Sequence, residues 1–485
     1  MPFNSLSYLF FLPAVFLLVS LSRGKLQWLG LLASSVAFYA AFRVPYLILA
    51  LFFVTAFTFA AGIRIERSNT PRGKQALLVT GILGNLLVLV LLKYLPFFSY
   101  TLNSLLGLLT SELFFPQASV LASVGVSYYV FQAISYLVDV YLEVEKAEPH
   151  FGYFALYISF FPKLMQGPIE RCGTLLPQLK EPYRFDYGNV RSGLVLFAWG
   201  LWKKLVIADR LAPLVNTAYG DVHGYSGISL ALATYCYAVQ IYCDFSGYTD
   251  MARGTALLFN IELTENFKAP YSATSVADFW RRWHISFSRW ILDYIFKPLQ
   301  MYWRSWGTTG TVAALLITFV VSGVWHGASW GFVIWGALHG LYMGGSVLYK
   351  PYRKKLHALL GIRKGRLLTI WQTVITFHLV CFAWIFFRAG SLSDAWFVVK
   401  SLAGLPAGNL GLPGLAKLIN IYGRNDALIA AAALAVLFCV GTLRGRVRLF
   451  ESPFYLRWPC YLALVFMIVL LSTFHSSSEF IYVQF

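Results

Sequence analysis

The sequence predicts an all-α fold, a polytopic transmembrane helical bundle of about 12 crossings with added re-entrant and interfacial helices, and three observations predict it. Hydrophobic residues make up 58% of the 485, and only 12% are charged, whereas a soluble domain of this size carries about a quarter. The mean hydropathy of +0.64 describes a surface suited to hydrocarbon rather than to water. Apolar runs of roughly twenty residues, the length that crosses about 30 Å of bilayer core, recur along the chain.

In chain order the crossings are expected near 5–21, 26–42, 46–63, 76–98, 119–141, 192–209, 228–246, 311–326, 329–349, 367–388, 426–442 and 459–474. The opening run (MPFNSLSYLF) lacks a basic leader region and a small-residue cleavage site, so it is read as the first crossing. Apolar pieces near 99–113, 151–165, 290–303 and 393–404 are too short to cross and are read as re-entrant or interfacial. Gly336, Gly340 and Gly344 form a GxxxGxxxG row, a spacing that lets helix backbones approach closely. No long polar linker, low-complexity tract or repeat divides the chain. It reads as a single integral membrane domain over 1–485, with N-terminal helices over 1–118, a core over 119–349 and C-terminal helices over 350–485.

A formal charge of +18 would suggest nucleic acid in a soluble protein. Here the basic residues sit in short loops between apolar runs, so no nucleic acid is expected and the charges set topology. Arg23 and Lys25, the group from Arg64 to Lys74, the group from Arg253 to Arg304, the group from Lys350 to Arg366, and the group from Arg444 to Arg457 all fall on one side of the twelve crossings. The positive-inside rule puts that side in the cytoplasm and both termini outside. The six cysteines form no CxxC or Cys/His metal spacing and read as small buried hydrophobes.

Ionisable groups at bilayer depth are costly and gather where a cavity or partner receives them. Two polar clusters interrupt the apolar background. The first is 278–289, Asp-Phe-Trp-Arg-Arg-Trp-His-Ile-Ser-Phe-Ser-Arg. As a helix it would place Arg281, His284 and Ser288 on one face, with Asp278 one turn before Arg281 and Arg282. A second reading is an interfacial amphipathic helix whose Trp280, Trp283 and Trp290 form an aromatic belt. The second cluster is 322–330, Ser-Gly-Val-Trp-His-Gly-Ala-Ser-Trp. His326 sits there between two apolar runs, deep or near the outer face, with Ser322 and Trp330 one turn away, Ser329 three residues on, and Trp325, Trp335 and His339 close in sequence. An imidazole embedded in hydrocarbon stays neutral near pH 7, and a neutral imidazole can take a proton from an attacking hydroxyl. No HExxH, GxSxG or Walker loop occurs, and no metal is expected.

These residues resemble the membrane-bound O-acyltransferases (MBOATs), in the branch that includes the alginate O-acetylation membrane subunit and the teichoic-acid D-alanyl transfer membrane protein. Gly125–Tyr141 (GVSYYVFQAISYLVDVY), Phe160–Arg171 (FFPKLMQGPIER), Glu265–Ser288 (ENFKAPYSATSVADFWRRWHISFS), Ser322–Gly340 (SGVWHGASWGFVIWGALHG) and the ending FIYVQF carry the resemblance. The chain departs from the branch at Ser123, where a proline is usual, and over Asp293–Gln300, which lacks a glycine pair.

The resemblance implies an MBOAT-like ring of tilted helices with a central tunnel, in a bacterial inner membrane. It implies an O-acyltransferase that moves an acyl group, expected to be acetyl, from a cytosolic thioester across the membrane to a hydroxyl. The catalytic histidine falls on His326 and a second on His284. Arg281, Arg282, Asp278 and Lys297 are the expected donor-binding residues. Ser322, Trp325, Ser329, Trp330, Gln240 and Asp244 are the expected tunnel lining. No bound cofactor is expected; acyl-CoA or an acyl-carrier thioester is the co-substrate. Besides the lipid bilayer, the implied partners are a periplasmic or small membrane acyl-acceptor protein and a cytosolic acyl carrier protein. The 389–425 segment and the tail after His475 are the expected docking surfaces. A transporter or flippase of an envelope precursor is the alternative, and it would call for paired discontinuous segments in two related halves, which the sequence does not display.

Overall fold

The computed structural model describes residues 1–95, 98, 101–103, 123–327, 329–359, 365–405, 411–443, 452–473 and 480, and among them there is no β-strand. The described residues pack into two compact units. One holds 1–197 with 248–265, and the other 198–247 with 266–481.

The first unit opens with α1 (Leu6–Leu21), α2 (Lys25–Ala40), α3 (Pro45–Arg67) and α4 (Pro71–Leu89). Their ends carry start and stop chemistry. Ser5 Oγ accepts from the backbone of Tyr8, and Thr70 Oγ1 from that of Gly73. Proline occupies the first turn of α3 and α4, where its missing N–H costs nothing. Arg64 and Arg67 close α3, at the negative end of its dipole. α5 (Val126–Tyr141) is buried on nearly every face, its polar Ser127, Gln132 and Ser135 included. Gly125 precedes it at φ 75. A Cβ there would lie 2.6 Å from the carbonyl oxygen of Leu164, so both backbone sign and space demand glycine.

α6 (Phe151–Ser159) leads into residues 160–170, which are non-helical yet wholly buried. Such backbone needs internal partners. Phe161 N–H donates to Ser35 Oγ at 3.1 Å, and Lys163 Nζ donates to Gln132 Oε1 at 2.5 Å and to the carbonyl of Ile158 at 3.1 Å. α7 (Cys172–Lys180) follows.

α8 (Tyr187–Trp202) passes through a π-helical turn, Lys203–Ala208, into α9 (Asp209–Gly220), and α10 (Ile228–Leu257) follows. The second unit continues with the short α11 (Val276–Arg282), α12 (Ile285–Ile291) and α13 (Lys297–Tyr302). Then come the long α14 (Gly307–His326), α15 (Trp330–Leu359) and α16 (Arg366–Arg388). α17 (Leu392–Ala403), α18 (Leu412–Tyr422), α19 (Arg424–Leu443) and α20 (Phe454–Leu471) complete it. α14 and α15 meet backbone to backbone. A Cβ on Gly336 would strike the carbonyl oxygen of Phe319, one on Gly323 that of Phe332, and one on Gly340 would come within 2.9 Å of Leu316 Cα. The glycine row is a packing seam, as its spacing predicts.

A helix occupies each of the twelve expected crossings. Among the described residues, eight helical stretches are long and apolar enough to cross a membrane. The other four, α1, α2, α5 and α8, have 16 residues each, about 24 Å at the standard rise. Leu6, Phe10, Leu367 and Leu470 are largely exposed, a surface for lipid rather than water. The chain is a multi-pass helical membrane protein. Of the expected short pieces, 393–404 is α17, while most of 99–113 lies outside the described residues. The tail after His475 also lies outside them, apart from Phe480. Cys439 and Cys460 are exposed rather than buried, because each faces outward from its helix.

Candidate active site

The segment 278–289, read above as one helix, is two. Ser275 Oγ caps α11 by accepting from Asp278 N–H at 3.1 Å, α11 ends at Arg282, and His284 adopts a left-handed backbone, φ 43 and ψ 56. Arg281, His284 and Ser288 therefore do not share a helical face. The physical reason is a latch from residues 266–268. The carbonyl of Asn266 accepts from Ile285 N–H and its Oδ1 from Ser286 N–H, both at 3.0 Å, while Lys268 N–H donates to the carbonyl of Arg282 at 3.0 Å. A left-handed non-glycine residue costs roughly 1–3 kcal/mol and persists where the surroundings fix it. Here three hydrogen bonds do so.

The latch delivers the His284 ring into an aromatic enclosure. It is 1% exposed, edge-on to Phe245 at 4.7 Å between centroids, with Phe287 at 5.1 Å and Trp325 at 6.2 Å. Burial pushes its imidazole down to about 3, so the ring is neutral at physiological pH.

His326 is the last residue of α14, followed by Gly327 in extended conformation. Its ring is 3% exposed and lies against Trp325 at 4.7 Å, Trp335 at 4.9 Å and 88°, Phe387 at 5.2 Å and Phe287 at 5.9 Å. Phe287 and Trp325 stack on each other at 4.3 Å. Both histidines thus touch one stacked pair, and the structure brings together two motifs that the sequence holds apart.

Asp278 pairs with both arginines, through Oδ2 to Arg282 Nε at 3.0 Å and Oδ1 to Arg281 at 3.6 Å. The Arg281 side chain stays 73% exposed. Lys297 pairs with Asp293 at 2.7 Å on an exposed face. Ser322 lies one turn before His326 and is fully buried. Ser329 Oγ accepts from Gly331 N–H at 3.3 Å beside the start of α15, and Trp330 is half-exposed. Gln240 is buried on α10. Asp244, also on α10, accepts from Lys204 Nζ at 2.7 Å; that ammonium also meets Asp209 at 2.9 Å and faces the Phe480 ring at 4.3 Å.

The belt reading of the tryptophans fails. Trp280, Trp283 and Trp290 are all buried, because they pack between helices instead of facing headgroups. Trp280 Nε1 donates to His339 Nδ1 at 3.2 Å. Sequence reasoning also missed Phe287, Phe387 and the Asn266 latch. Phe287 stands inside the 278–289 cluster, where the charged residues draw attention, Asn266 lies twelve residues before that cluster, and Phe387 comes from a distant helix with no local signal. Among the described residues no group of three His, Cys, Asp or Glu side chains could hold a metal ion.

Comparison with known proteins gives a consistent set. A model of the membrane-bound O-acyltransferase family matches residues 127–389, which contain both histidines. The chain is 32% identical over 442 residues to a peptidoglycan O-acetyltransferase of Helicobacter pylori, covering 83% of this chain and 80% of that one. It is 35% identical over 405 residues to the probable alginate O-acetylase AlgI of Pseudomonas aeruginosa, covering 83% and 75%. A teichoic acid D-alanyltransferase of Bacillus subtilis is 26% identical over 314 residues, covering 63% and 76%.

Proposed function

Because the chain belongs to the membrane-bound O-acyltransferase family and is an O-acyltransferase, we propose that it moves an acetyl group from a cytosolic thioester to a hydroxyl on the far side of a bacterial inner membrane, with His326 as base. The observation that carries this reading is the placement of His326: a buried imidazole at the end of a spanning helix, walled by aromatic rings that exclude water.

The ring takes the proton of the acceptor hydroxyl as its oxygen attacks the thioester carbonyl. The tetrahedral adduct then collapses, the carbon–sulfur bond breaks, and the imidazolium returns the proton to the departing thiolate. A thioester is already activated, so general-base help of about 10²–10⁴-fold, together with proximity, carries the step. His284, uncharged and sharing the Phe287–Trp325 pair, borders the same reacting volume. The exposed Arg281, with Arg282 and Lys297, offers cationic contacts to a donor's phosphate or to an acidic carrier protein, which would speed encounter. The relatives named for O-acetylating peptidoglycan and alginate support a cell-envelope polymer as final acceptor, reached through a periplasmic or small membrane acceptor protein. The donor is acetyl-CoA or an acetyl carrier protein.

Inside-out vesicles given radiolabelled acetyl thioesters test this. Label is expected in a product on the outer face, and His326→Ala should abolish it while expression and elution from detergent stay unchanged. Retained turnover removes His326 from the chemistry.

A further inference from the structure

An oxygen attacking a thioester creates an oxyanion, and preorganised buried donors aimed at that charge are worth the most where water is excluded. His326 cannot supply this, because its task is to hold the hydroxyl proton. The seam between α14 and α15 holds other donors. His339, on α15, is fully buried. Its Nδ1 faces the Trp280 indole N–H at 3.2 Å. An indole nitrogen only donates, so Nδ1 accepts and the ring's single proton sits on Nε2. That Nε2–H has no partner among the described residues. Neither has the N–H of Trp335, one turn earlier on the same helix and also fully buried.

A buried donor left unpaired is destabilising, and this seam carries two of them, with Ser322 Oγ across on α14 as a third. Ser322 is unlike its neighbour Thr318, whose hydroxyl donates to the carbonyl of Ala314 at 2.7 Å. Trp335 joins the groups spatially: its ring lies 4.9 Å from His326 and 5.0 Å from His339. Unused N–H groups this close to a base are what a substrate carbonyl would complete.

We propose that His339 is a catalytic residue that donates its Nε2–H to the thioester oxygen as that oxygen becomes negative, with Trp335 Nε1–H as a second donor and Trp280 as the positioning residue that fixes the tautomer. The inference rests on His326 acting as base. As the acceptor oxygen bonds to the carbonyl carbon, the carbonyl π pair moves onto oxygen and is held by these donors. When the carbon–sulfur bond breaks, the pair reforms the carbonyl and His339 keeps its proton throughout.

The experiment uses the full chain in inside-out vesicles, with acetyl-CoA or acetylated carrier protein, whichever the wild type turns over. His339→Phe keeps the ring and loses the donor. It should lower kcat about 10²–10³-fold and leave KM within about twofold. His339→Gln places an amide N–H near the Nε2 position and should recover at least tenfold of that loss. Trp280→Phe should lower kcat by less than His339→Phe. If His339→Phe does not elute as folded protein, His339→Met, which lacks the N–H at similar length, replaces it. Full kcat in the donor-less variant, equal loss in Gln and Phe, or a loss confined to KM overturns the assignment. The two readings separate cleanly. An active His326→Ala sinks the base, whereas an inactive His326→Ala beside a fully active His339→Phe sinks only His339.

Discussion

His284 makes its neutrality measurable. In the unfolded chain it binds a proton below about 6.5, while in the folded chain burial delays this to about 3. Between those values the unfolded state holds more protons, so stability falls as pH drops through that window. The melting temperature of wild type should therefore fall more steeply from pH 6.5 to 4.5 than that of His284→Asn. Parallel curves would show that the ring is already solvated. Both histidines were legible in the sequence as polar residues in apolar or aromatic company. Their shared contact with Phe287 and Trp325 was not. It depends on the left-handed turn at His284, which is imposed by Asn266, and no local pattern announces a latch formed across eighteen residues of chain.

At the scale of elements, periodicity worked where a helix is long. α14, α15 and α16 were visible because an apolar run with few charges has one solution in hydrocarbon. Their mode of contact was visible too, since small residues at every fourth position permit backbones to touch. Gly336→Leu should wedge this seam open against the Phe319 carbonyl, destabilising by about 1–3 kcal/mol and lowering turnover with it. Thermal aggregation in detergent measures the first and the vesicle assay the second. The break between α11 and α12 was hidden because Phe-Trp-Arg-Arg-Trp-His holds no glycine or proline to stop a helix, and its arginines favour one. Tertiary hydrogen bonds outweigh that propensity. Burial of the three tryptophans was hidden for a related reason: an aromatic next to arginine reads equally as membrane interface or as core.

For the molecule as a whole, composition fixed the class of protein and loop charge suggested its orientation. Cysteines placed at Asn69 and Ser305, in basic loops, should react with an impermeant reagent only from the cytoplasmic side. Cysteines at Ala41 and Gly423 should react only from the other side. Mixed labelling within either pair would discard the proposed topology. Of the ion cluster of Lys204, Asp209 and Asp244, the sequence singles out Asp244 alone, and as tunnel lining rather than as an ion partner, since the other members arrive through the π-helical turn after α8. Lys204→Met would remove the ammonium from two buried carboxylates and should cost about 3–5 kcal/mol, read as a lost thermal transition.

Phe480 covers that lysine with its ring face and is itself buried. A few atoms near the end of the sequence thereby keep water from a charged core. Phe480→Ala would let solvent reach the ammonium with the overall sequence otherwise unchanged.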